Sequence, residues 1–279
     1  GMDQEDTLRV YPYFRHVFAG GLLFSLPLLY TMEMWWTGFI ADPRRLIIYT
    51  LVTFALLIGY NRFAGFREEV TYRDIVVEST EEMGLGLLLA TVVLWLVGQI
   101  TPEMSLEEIA GKIVIESMVV AIGISVGTEQ LGSGGGNGGQ SGGDRAEAAP
   151  LASQVVMSTC GAVLVAANVA PTQEIVVIGV GTTPEKLFGL VLASVAIGTV
   201  ILYFSEFRGT HRRRKPAGMV DMVGGVGVMY GVALISSAFM LWFFGRFEGV
   251  DAHTMLAETV VLAFPASLGA SAGRLLIGG

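Results

Sequence analysis

A chain of 279 residues with 52% hydrophobic and 15% charged residues and a mean hydropathy of +0.62 lacks the polar surface of a soluble domain, where about 25% of residues are charged. One cysteine, Cys160, rules out an internal disulfide, and three histidines, His16, His211 and His253, leave little for a histidine-ligated metal centre. The net charge of −8 comes without the basic clusters that hold nucleic acid, so that class of partner is excluded.

Roughly 20 helical residues cross a hydrocarbon core of about 30 Å. Eight apolar runs meet that length: 15–40, 44–64, 76–99, 108–131, 152–181, 185–205, 218–245 and 254–278. The first opens near Arg9 and Arg15 as a secretory leader would, but it continues too far and contains Glu33. Leader cores run about 7–15 residues, so it reads as a mature helix. The expected fold is all-α, a polytopic membrane protein of eight transmembrane helices with the lipid bilayer as its solvent.

Between the fourth and fifth runs the Gly- and Ser-rich stretch 132–150 cannot build a core and reads as a flexible linker. It separates a first four-helix unit, 1–131, from a second, 151–279. The two align. At an offset of 141, Pro43, Leu46, Leu51, Ala55, Phe63, Phe66 and Arg67 fall on Pro184, Leu187, Leu192, Ala196, Phe204, Phe207 and Arg208. The triplet Thr31-Met-Glu33 falls on Thr172-Gln-Glu174 in the same register. At 147, Asp74, Gly84, Trp95 and Gly98 fall on Asp221, Gly231, Trp242 and Gly245; at 142, Glu116, Ser125 and Gly127 fall on Glu258, Ser267 and Gly269. The expected plan is two parallel repeats, because four crossings leave both copies the same way up.

In that topology twelve of the 17 lysines and arginines lie on the side of the N-terminus, the linker and the C-terminus. The positive-inside rule then places both termini in the cytoplasm of a cell whose inner membrane the chain crosses. The run His211-Arg-Arg-Arg-Lys215 reads as a topology anchor in preference to a lipid- or nucleic-acid-binding patch.

Ionisable groups inside such runs are costly and are usually paired or functional. Four stand out: Glu33, Glu116, Glu174 and Glu258. At 1.5 Å per residue, Glu33 and Glu116 each fall about 6 Å below the outer boundary, and the duplication puts Glu174 and Glu258 at the same level. They are expected to form an ion-binding layer, as one ring or as two pairs. Trp35 and Trp36 also allow Glu33 to sit in an aromatic belt, reaching into water. Asn168 and Thr172 share a helical face beside Glu174, and Pro171 between them frees carbonyls that either coordinate a cation or are bonded by neighbours. Pro27 and Pro265 read as kinks.

Asp74, Glu78, Glu81 and Glu82 share one face of the third helix. The apolar part of that helix, 83–98, spans only about 24 Å, so Glu82, and Glu81 with it, is expected at or inside the cytoplasmic edge. The cluster reads either as a cation-concentrating vestibule or as a solvated extension. Val223-Gly-Gly-Val-Gly227 lacks the Lys-Ser/Thr of a phosphate loop. Gly123-Ile-Ser125-Val-Gly127 and Gly269-Ala-Ser271-Ala-Gly273 match the hydrolase elbow pattern without its strand or a histidine partner, and read as small-residue helix contacts. No zinc-protease motif is present in the sequence, so no enzyme activity is expected.

On its overall plan and its Thr-x-Glu and Glu-Ser/Thr pairs, the chain resembles an uncharacterised family of predicted bacterial integral membrane proteins. The resemblance implies a bacterial origin and carries no activity over. The residues themselves point to a proton-coupled cation transporter whose oxygen ligands suit hard ions, with no cofactor beyond a bound cation, and with oligomers open. The alternatives are a cation channel and a non-transporting sensor or scaffold.

Overall fold

The computed structural model describes residues 31–40, 42–64, 71–132, 151–208 and 219–275. Residues 15–30 of the first expected span with Pro27, residues 133–150 of the linker and the basic run 211–215 lie outside the described residues. Within the described residues every regular element is an α-helix. The chain divides into two compact units, Gly1–Ala149 and Pro150–Gly279.

The first unit contains α1 (Met32–Ile40), α2 (Pro43–Ala64), α3 (Tyr72–Leu96) and α4 (Leu106–Gly132). Helix α4 is its centre and packs on the other three. Its residues 115–126 are buried on every side, as befits a helix that is apolar all round. Gly86 lets α3 approach, since a Cβ there would stand 2.7 Å from the Ser117 carbonyl oxygen. The outer helices expose apolar faces instead, with Ile47 and Leu51 on α2 and Leu88 and Trp95 on α3, the arrangement that lipid rewards and water penalises.

The second unit contains α5 (Leu151–Val169), α6 (Gln173–Gly181), α7 (Pro184–Arg208), α8 (Met219–Phe243) and α9 (Ala252–Leu275). Helix α9 is central here and packs on α5, α6, α7 and α8. It crosses α5 so closely that a Cβ on Gly161 would overlap the Gly269 backbone, and one on Gly273 would overlap the Met157 carbonyl. The Gly269 to Gly273 segment is therefore a helix crossing made by small residues, as membrane interfaces favour.

Seven of these helices are long and apolar enough to cross a membrane: Pro43–Phe63, Tyr72–Leu96, Leu106–Val126, Leu151–Val169, Pro184–Ile201, Gly224–Phe243 and Ala252–Gly273. They coincide with the second to eighth expected runs, except that the run 152–181 is two helices. The chain breaks at 170–172 because Pro171 has no amide hydrogen and its ring collides with the carbonyl four residues back. The break leaves α6 with nine residues. Of the first expected run the described part is α1, also nine residues long.

α1 and α6 begin and end 141 residues apart, and α3 and α8 do so 147 residues apart. Both long helices close on the same turn. The amide of Gly98 donates to Trp95 and that of Gln99 to Leu94; the amide of Gly245 donates to Trp242 and that of Arg246 to Leu241. Gly98 and Gly245 adopt φ of 75° and 72°, the left-handed region that this cap requires and glycine reaches without a steric cost.

Candidate functional site

Each central helix carries one buried glutamate. In the first unit Glu116 lies ten residues into α4 and is 1% exposed, and neither of its carboxyl oxygens has a hydrogen-bond partner. The nearest cation in sequence, Lys112 one turn earlier, is directed elsewhere. Its ammonium donates to the Gln99 carbonyl at 3.3 Å and pairs with Glu108 at 3.2 Å. From α2 the buried Tyr49 hydroxyl lies within electrostatic reach of Glu116. Glu33 sits on α1, which packs on α4, and is half-buried; its carbonyl accepts from the Thr37 hydroxyl.

In the second unit Glu258 is also 1% exposed, and its Oε2 has no hydrogen-bond partner. It presses on α6 at Gly179, where a Cβ would stand 2.8 Å from the Glu258 Cγ. Glu174, five residues earlier and thus about 7.5 Å away along the helix, is exposed. Thr172 caps α6 by its position and donates its hydroxyl to the Val169 carbonyl at 2.7 Å; Asn168 donates to the Leu164 carbonyl at 2.6 Å.

Two carbonyls within the break are taken by a residue the sequence did not single out. Arg246, in the turn after α8, donates from Nε to the Ala170 carbonyl at 3.3 Å and from Nη2 to the Pro171 carbonyl.

A second polar cluster joins three helices of the first unit. The Asn61 amide on α2 donates to Glu82 Oε2 at 2.9 Å and to Ser79 Oγ at 3.1 Å on α3, while Ser125 on α4 donates to Asn61 Oδ1 at 3.1 Å. Glu82 is therefore buried, at 4% exposure, whereas Asp74, Glu78 and Glu81 on the same helix are exposed. Asp74 belongs to the helix start, accepting from the Thr71 amide at 3.1 Å.

Within either unit no three His, Cys, Asp or Glu side chains of the described residues converge on one point. Sequence reasoning found Glu116 and Glu258, both as carboxylates inside apolar runs, but missed Tyr49, Asn61, Gly179 and Arg246. Asn61 carried a signal, a lone amide near the end of an apolar helix. Arg246 was visible only as a basic residue in a loop.

Residues 14–277 match the model of a family described as "Putative integral membrane protein (DUF2391)". Neither a curated protein nor a solved structure matches the chain.

Proposed function

The chain belongs to this family of integral membrane proteins, and from that premise we propose that it is a proton-coupled cation transporter of the bacterial inner membrane, built as a duplicated four-helix unit with both termini cytoplasmic. One observation carries the reading: Glu116 is buried in the central helix of its unit with both oxygens unpartnered. Charge on such a carboxyl costs several kcal/mol and has to be compensated from outside the protein's own side chains, by a proton or by a cation. A group that accepts one in place of the other is the chemical basis of exchange.

The duplication is supported by the matching helix bounds and by the two identical glycine turns. It assigns Glu258 as the counterpart of Glu116 on the second central helix. The ligands on offer are oxygens, which suit hard ions such as Na⁺, Ca²⁺, Mg²⁺ or Mn²⁺. The reading needs no cofactor and no enzyme chemistry.

The test is proton flux. The chain is reconstituted in liposomes with an internal pH dye, and gradients of Na⁺, K⁺, Ca²⁺ and Mg²⁺ are imposed in turn. A cation-driven pH change in the wild type that is lost in Glu116→Gln is expected. Equal flux in both proteins, or none with any ion, overturns it.

A further inference from the structure

Helix α6 is a rod of nine residues with a break at each end. At its start Pro171 interrupts the chain and Thr172 is extended, with φ of −74° and ψ of 150°; at its end Thr182 is extended and α7 begins at Pro184. The chain before α6 is held. Arg246 donates to the carbonyls of Ala170 and Pro171, and the amide and hydroxyl of Thr172 both donate to the Val169 carbonyl. Any movement at this end of α6 therefore starts after Thr172.

Within its unit α6 packs on α9 and, among the described residues, on no other helix to a comparable extent. Its buried residues are Ile175 and Gly179, one turn apart on one face, whereas Val177, Ile178 and Val180 are exposed. What that narrow face covers is Glu258. A Cβ on Gly179 would stand 2.8 Å from the glutamate's Cγ and 3.3 Å from its amide nitrogen, so glycine is what lets α6 close over the side chain. The covered carboxyl is 1% exposed and its Oε2 has no hydrogen-bond partner, an arrangement that costs free energy as long as α6 is closed. The first unit repeats the pattern. At the offset of 141, Met34 and Gly38 of α1 take the places of Ile175 and Gly179, Met34 is 1% exposed, and α1 packs on the helix that carries Glu116.

We propose that α6 is a lid over Glu258. Hinged at Thr172–Gln173 and at Thr182–Thr183, it lifts Ile175 and Gly179 off α9 and admits a proton or a small hard cation to the carboxyl, whose oxygens suit such ions. Lifting a half-helix exposes one narrow apolar stripe, so it belongs to the low-cost end of local openings, below the parting of two long spans. This builds on the transport reading, to which it adds a route of access to Glu258, and the opening is read without any flux.

The probe is N-ethylmaleimide applied to the full chain in membranes, with Ile175→Cys as the reporter. The thiol adds across the maleimide double bond, sulfur bonding to one carbon and the proton going to the other, and modified positions are located by peptide mass spectrometry. The native Cys160 on α5 is 1% exposed, comparable with Ile175 at 3%, and serves as the control within the same molecule. Position 175 is expected to react at least about tenfold faster than Cys160, the factor that about 1.4 kcal/mol sets. With Glu258→Met added, an unbranched apolar side chain of similar volume removes the oxygen that lacks a partner. Closure is then favoured, and the rate at position 175 falls about tenfold. If Ile175→Cys does not fold, a hydrophobic carbodiimide on Gly179→Ala takes its place: the added Cβ holds α6 off α9, and labelling of Glu258 rises about tenfold over the wild type with Glu116 unchanged. Equal rates at positions 175 and 160 overturn the lid, as does an unchanged rate at position 175 with Glu258→Met. So does labelling of Glu258 in Gly179→Ala that equals the wild type or rises together with that of Glu116. Fast reaction at position 175 in a protein without ion-driven flux would sink the transport reading and leave the lid standing.

Discussion

Replacing Glu116 by methionine should stabilise the protein while abolishing the proposed proton flux. Methionine has nearly the volume and flexibility of glutamate, so it fills the same space among the buried residues 115–126 of α4 without strain. What it removes is two acceptor oxygens that have no hydrogen-bond partner. A buried polar group left unsatisfied costs about 1–3 kcal/mol, and replacing it with an apolar group of the same shape recovers much of that. The expected gain is about 1–3 kcal/mol, which at about 2–4 °C per kcal/mol is readable as a higher midpoint in thermal unfolding of the detergent-solubilised protein. Proton flux in liposomes is measured on the same preparation and should fall to background. A variant that gains stability and loses function marks a residue kept at a structural cost. A loss of stability in Glu116→Met would refute the reasoning, because it would mean that the carboxyl is bonded in the folded protein and serves the fold.

Three further outcomes follow from the packing and the caps. Gly269→Ala should lower the unfolding midpoint, since overpacking against the Gly161 backbone costs about 1–3 kcal/mol against at most about 1 kcal/mol gained in helix propensity; Gly84→Ala, with nothing within 4 Å of the added Cβ, should raise it. Asn61→Leu should destabilise by about 2–4 kcal/mol, because Glu82 and Ser125 each lose a hydrogen-bond partner; a midpoint equal to the wild type would show that the amide is not a strut between α2, α3 and α4. Asp251, before α9, is held below the usual carboxylate range by the Thr254 hydroxyl and the Thr254 and His253 amides. Its contribution is present above about pH 4 and lost as pH falls through its folded value, so the gap in midpoint between wild type and Asp251→Ala should be largest near neutrality and shrink in acid.

Much of the fold was legible because helix length and apolarity are local properties: seven spans fall where the runs of hydrophobic residues put them. The break at Pro171 was legible as a loosening and not as an end, because an apolar stretch looks the same whether a proline bends it or divides it. The site was half legible. A carboxylate inside an apolar run announces itself, so Glu116 and Glu258 could be named, but burial separates Glu82 from Glu81, its neighbour on the same helix face, and only packing decides that. Asn61 and Ser125 are 64 residues apart, and Arg246 and Pro171 are 75 apart. No periodicity within a helix connects such pairs.

The turns at Gly98 and Gly245 share one backbone geometry and differ in the charge of the residue that follows. The cap is made by the glycine's positive φ and by backbone amides, so the residue that follows it is structurally unconstrained. In the first unit a glutamine follows the glycine and its carbonyl is bonded by the Lys112 ammonium; in the second an arginine at the same place reaches the break at Pro171. The counterparts of Tyr49, Asn61, Ser79 and Glu82 at the same offsets are Leu190, Leu202, Val226 and Met229. These four polar residues of the first unit therefore align with apolar ones in the second, while Gln99 aligns with Arg246. The two units thus place their polar groups differently: the first joins Asn61, Ser79, Glu82 and Ser125 across three helices, and the second directs Arg246 to the carbonyls of its break.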